Sequence, residues 1–154
     1  MSPTPLRHET EAERLDRNYG ELLQELRVAQ TGVQILFAFL LSTAFTPRFA
    51  ALTAGQRGLY VATLTLAAWS AAALIAPVMY HRLVFRRRLK DEIVEVTHRC
   101  AIVGLSLLLL CLVGALALAA GLVVGRWSIT LAVVTGVAFS GLWFLLPLLH
   151  RRRS

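Results

Sequence analysis

Apolar residues in this 154-residue chain gather into four long blocks, and the charges sit almost entirely between them. The blocks run over about 28–46, 59–80, 100–125 and 127–149. Each is close to the roughly 20 residues that a helix needs to cross about 30 Å of hydrocarbon. None shows the two-residue alternation of a lipid-facing strand, which excludes a β-barrel. The pattern predicts an all-α integral membrane four-helix bundle, its transmembrane domain covering 28–149.

The segments outside the blocks also keep a helical rhythm. In the polar stretch 1–27, Ala12, Leu15, Tyr19, Leu22 and Leu26 recur at alternating spacings of three and four, the seam of an amphipathic helix. Its six acids outnumber its four arginines, so it is expected to pack on protein rather than lie on anionic lipid. Gly20 weakens its middle. The same acidic opening lacks the basic start and short apolar run of a cleavable signal peptide, and none is expected. In the charged stretch 81–99, Phe85, Leu89, Ile93, Val96 and Cys100 continue the spacing into the third block, predicting a cytosolic helical extension. Pro47 is expected to stop the first span and Pro77 to kink the second.

Composition sharpens this picture. Hydrophobic residues make up 56% of the chain and charged residues 16%, too few charges for an ordinary soluble domain. The net charge of +7 would prompt a nucleic-acid hypothesis in a soluble protein. Here the basic residues flank the apolar blocks, so they report topology, and no nucleic-acid partner is expected. One side holds Arg7, Arg14, Arg17, Arg27, the 82–99 cluster and the tail 150–154 with Arg151, Arg152 and Arg153; the other holds Arg48, Arg57 and Arg126. This asymmetry places both termini in the cytoplasm and the protein in the cytoplasmic (inner) membrane.

Candidate chemistry is sparse. Arg27, Gln30, Thr31, Gln34, Ala38 and Ser42 fall within about a third of the circumference of the first span. Polar side chains at membrane depth face other helices or a wet cavity, so two readings stand: hydrogen-bonding glue between helices, or the lining of a cytosol-facing path. None of the nine carboxylates lies inside a block, which argues against proton-coupled transport within one chain. His81, His98 and His150 flank span exits. There is no Ser/His/Asp set, HExxH, P-loop or paired acids, so no enzyme, cofactor or metal site is expected. Cys100 and Cys111 would be separated by about 16 Å of helix, too far to bridge within one chain. Small residues recur every four positions at Ala68, Ala72 and Ala76, at Ala117, Gly121 and Gly125, and at Ala132, Gly136 and Ser140. Such stripes serve internal packing or a homo-oligomer face. Besides the lipid bilayer, a protein partner at the cytosolic helices is the remaining candidate contact.

The stretch ELLQELRVAQTGVQILFAFLL, Glu21 to Leu41, resembles the opening of a bacterial family of small four-span membrane proteins, and APVMYHRLVFR, Ala76 to Arg86, resembles that family's second exit. The likeness covers most of the chain from about Asn18. That family has no established function, and some members carry a sodium/proton antiporter label. The resemblance implies a four-span fold and no transferable site residues. Two function classes remain: a non-enzymatic scaffold or regulator, or an ion transporter or channel component using the polar face of the first span.

The topology is directly testable. In a variant lacking Cys100 and Cys111, a cysteine at Ala54 should react with an impermeant maleimide on intact cells, and one at Ser2 only after permeabilisation. Labelling of both from outside would overturn the orientation read from the arginines.

Overall fold

The computed structural model describes residues 11–84, 90–123 and 125–145. The N-terminal extension and the first apolar block form one unbroken helix, α1, Glu11–Ala44. No proline interrupts it, and a Cβ added at Gly20 or Gly32 would meet nothing within 4 Å. Of the seam read for the extension, Leu22 and Leu26 continue into the span, while the side chains of Ala12, Leu15 and Tyr19 lie outside those described. Leu22 is half-buried, Leu26, Val33 and Leu40 are buried, and Ala29, Leu36 and Phe37 pack beside them. Seven-residue steps of this kind keep one stripe of a helix against a neighbour.

Pro47 closes the first block in an unexpected way: it opens a one-turn helix, α2, Pro47–Ala50. Proline suits that place, because the first N–H of a helix has no intrahelical partner. A second lock forms three residues further on. The Thr53 N–H donates to Gln56 Oε1 at 2.9 Å, and the Gln56 N–H donates back to Thr53 Oγ1 at 3.3 Å. This reciprocal pair is a capping box for α3, Ala54–Val84. Tyr60 fastens the corner, with its ring edge-on to Phe49 at 5.0 Å and its hydroxyl donating to the Leu40 carbonyl at 2.8 Å.

The centre of the fold is the pairing of α3 with α4, Lys90–Val123. On α3 the buried stripe is Tyr60, Thr63, Ala67, Ser70, Leu74 and Pro77; on α4 it is Thr97, Ala101, Gly104, Leu108, Cys111 and Gly114. Both follow three-and-four spacing, the knobs-into-holes rhythm. Two glycines set how close the helices come. A Cβ at Gly104 would lie 2.6 Å from Leu74 Cδ2 and 3.3 Å from the Leu74 backbone nitrogen, and one at Gly114 would run into Thr63 Oγ1. Small residues permit this approach where apolar burial gives no drive, as among lipid chains.

After α4 the chain turns at Gly125, whose φ of +57° is a left-handed conformation that glycine adopts without penalty. The turn Gly125–Trp127 leads into α5, Ser128–Ser140, extended by a wider turn over Gly141–Leu145. Helix α5 packs on α4, with Ala132 buried and Gly136 facing Val113. Among the described residues, no Cα of α5 comes within 8 Å of α1 or α3.

Three helical segments are long and apolar enough to cross a membrane: Gly20–Ala44, Ala54–Tyr80 and Glu95–Val123. The fourth apolar helix, Ser128–Trp143, is shorter within the described residues. The outer surface fits lipid better than water. Trp69 is 65% exposed and Val137 68%, with many other large apolar side chains turned outward.

Gly104→Ala and Gly114→Ala should each lower unfolding stability in detergent by about 1–3 kcal/mol, because the added methyl overfills the α3–α4 seam. Thr63→Ala should restore much of the loss at Gly114 and none at Gly104. Gly58→Ala, with open space around its Cβ, should be neutral or stabilising by up to about 1 kcal/mol. Equal effects at all three glycines would exclude close approach as the cause.

Candidate functional site

The polar residues of the first span divide between two surroundings. Gln30 is half-buried and its side-chain amide donates to the backbone carbonyl of Leu74 on α3. Leu74 lies one turn before Pro77, which supplies no N–H to α3 and crowds the carbonyl four residues before it. Spans tolerate such a proline where neighbouring groups satisfy the carbonyls it disturbs. Gln30 acts beside that defect.

Arg27, Thr31, Gln34, Ala38 and Ser42 are all exposed on α1. The Thr31 hydroxyl donates to the Arg27 carbonyl at 3.0 Å, and the Ser42 hydroxyl donates to the Ala38 carbonyl at 2.9 Å. These bonds stay within one helix and ask nothing of a neighbour. The side chain of Gln34 makes no hydrogen bond within the described residues. The candidate face thus has one member turned onto α3 and the others exposed among the described residues.

A second polar stripe lies inside the α3–α4 seam, and the sequence pattern did not single it out. Ser70 Oγ donates to the Gly104 carbonyl across the helices at 2.8 Å. The Cys111 thiol reaches the Thr63 carbonyl at 3.5 Å, and the Thr63 hydroxyl itself donates to the Leu59 carbonyl at 2.7 Å. Thr63, Ser70 and Thr97 are fully buried. The signal was present as Thr63-x₃-Ala67-x₂-Ser70, small or hydroxyl residues in phase with Tyr60 and Leu74. The stripe one position later, Ala68, Ala72 and Ala76, is exposed. In α4 the packing stripe is Gly104, Cys111 and Gly114, and the expected run through Gly125 ends when that glycine leaves the helix.

The interior carries no charge among the described residues: its buried polar members are Thr63, Ser70, Thr97 and Ser128. The described charged residues are exposed, and Glu95 with Arg99 forms an ion pair at 2.7 Å on the polar end of α4. A pair this exposed adds little stability. Among the described residues, no group of three or more His, Cys, Asp or Glu side chains converges to hold a metal.

Residues 8–147 match the model of a family of unknown function (DUF6328). The match contains both stretches that carry the four-span resemblance, Glu21 to Leu41 and Ala76 to Arg86. No curated protein and no solved structure matches the chain.

The two polar sets should respond differently to substitution. Gln30→Leu and Ser70→Ala each remove an interhelical bond to a carbonyl and should cost about 0.6 kcal/mol of stability in detergent, up to about 1.7. Gln34→Leu should cost nothing measurable in the isolated chain. A loss at Gln34 matching that at Gln30, in monomeric detergent-solubilised protein, would contradict this division.

Proposed function

The chain belongs to this family of unknown function, and we propose that it is a four-span protein of the cytoplasmic membrane, both termini in the cytoplasm, acting as a non-enzymatic scaffold or regulator. The observation that supports this most is how the buried polar groups are used. Ser70, Cys111, Gln30 and Tyr60 each spend a donor on a backbone carbonyl of a neighbouring helix. A path for ions needs free backbone carbonyls, polar side chains or ionisable groups to replace the hydration of a moving charge. In this reading the helix interfaces are closed glue.

The fourth span is Trp127–Leu149, of which Trp127–Leu145 lies within the described residues. The arginine asymmetry supports the orientation. The helical segments beyond the apolar blocks, at the start of α1 and of α4, are the surfaces on which a cytoplasmic protein partner would act. An antiporter-like activity through the polar face of α1 is the weaker alternative, because Thr31, Gln34 and Ser42 face outward and no helix of the same chain closes a lumen over them among the described residues.

Purified protein reconstituted into liposomes should show no proton or sodium flux above protein-free vesicles under an imposed gradient. Flux that scales with protein content, and that Gln34→Leu removes without loss of folding, would replace the scaffold reading with transport.

A further inference from the structure

Helix α1 presents three distinct faces along its apolar half. One is the buried seam of Leu26, Val33 and Leu40. A second is bulky and apolar, with Val28 71% exposed, Ile35 54% and Phe39 69%. At 100° per residue, the third face of Thr31, Gln34, Ala38 and Ser42 occupies an arc of roughly 80°, centred about 140° from Val33. The bulky face has the make-up of a lipid contact. The third face does not: it is small and polar, yet also exposed.

Gln34 decides what that face is for. It lies ten residues before the end of α1 at Ala44. That places it about 15 Å along the axis, near the middle of the hydrocarbon if α1 crosses the bilayer. Thr31 and Ser42 hide their hydroxyl protons in their own helix. The Gln34 amide has two donors and an acceptor with no partner among the described residues, and lipid supplies none. Nor does the chain cover the face itself, since α5 keeps every Cα more than 8 Å from α1 among the described residues.

We infer that this face is covered by α1 of a second copy, in a parallel two-fold dimer whose Gln34 amides hydrogen-bond to each other. Copies inserted under the same charge asymmetry point the same way, so a two-fold axis along the membrane normal brings Gln34 opposite Gln34 at one depth. An amide is both donor and acceptor, so two identical amides satisfy one another. Ala38 and Ser42, about one and two turns further on, let the backbones approach. The rival stripe on α3, Ala68, Ala72 and Ala76, is exposed but carries no such need: the nearby Thr65 hydroxyl already donates to the Val61 carbonyl at 2.8 Å. The dimer rests on the membrane-spanning reading of α1, and goes beyond it.

The test uses single cysteines in a chain lacking Cys100 and Cys111, oxidised in native membranes with copper phenanthroline. Disulfide-linked dimers should form at Thr31 and Ala38, and far less at Ile35, Phe39 and Ala72. Adding Gln34→Leu should lower crosslinking at Ala38 about tenfold, the effect of losing the interhelical bonds at the upper end of their range. Photobleaching of dye-labelled protein with both native cysteines, in dilute vesicles, gives an independent count: two steps expected, one for Gln34→Leu. Strongest crosslinking at Ala72, uniform crosslinking at every position, capture of a different protein at Ala38, or single-step bleaching of the unmutated chain would each overturn the dimer. Release of the protein by alkaline carbonate would instead overturn the membrane reading, so the two failures are separable.

Discussion

A peptide group surrounded by hydrocarbon has no water to fall back on, so two helices that meet there must fit at the level of the backbone. The α3–α4 pair meets that demand through absence of bulk. Gly104 leaves room for Leu74, and Gly114 leaves room for Thr63. At that separation a hydroxyl on one helix reaches a carbonyl on the other, as Ser70 does to Gly104. The other helices are fitted to this pair. Helix α1 leans on α3 with a continuous aliphatic seam and reaches the Leu74 carbonyl through Gln30. Helix α5 is held by α4, where Gly136 sits under Val113. A methyl group in the wrong place on α4 would therefore disturb α1 through Leu74 as well as α3 itself.

The same chemistry limits what the interior can do. Hydroxyls and a thiol bonded to carbonyls are stable because their donors are spent. They leave a described interior that is uncharged. The polarity that is not spent lies on the outside of α1, where a neighbour rather than a solute would meet it.

The large-scale plan was legible in the sequence because hydropathy averaged over a span is insensitive to the phase of any one residue. The apolar blocks, the helix from Lys90 into the third block and the seam starting at Leu22 all belong to that scale; Phe85 and Leu89 of the expected extension lie outside the described residues. Phase was not legible. Gln30 and Gln34 stand one turn apart, yet only Gln30 lies close enough to the α1–α3 contact to bond Leu74. Ala67 packs and Ala68 does not, and alanine carries no mark to distinguish them. What selects the stripe is the partner's relief, here Gly104 and Gly114, and that pairing belongs to the assembled helices. At residue 27 polarity changes, and the helix Glu11–Ala44 runs through the change without a break.

That uninterrupted α1 has a mechanical side. Its 34 residues make a rod about 50 Å long, of which only about 30 Å can lie in hydrocarbon. The remaining length, without a proline to bend it, is a lever arm fixed to the span. A change of tilt by about 10° inside the bilayer would sweep its far tip by roughly 3 Å, and a rotation about the axis would turn its acidic residues through the same angle as the buried seam. If α1 crosses the bilayer, bilayer thickness and the orientation of the outer segment are geared to one another through this single stiff element.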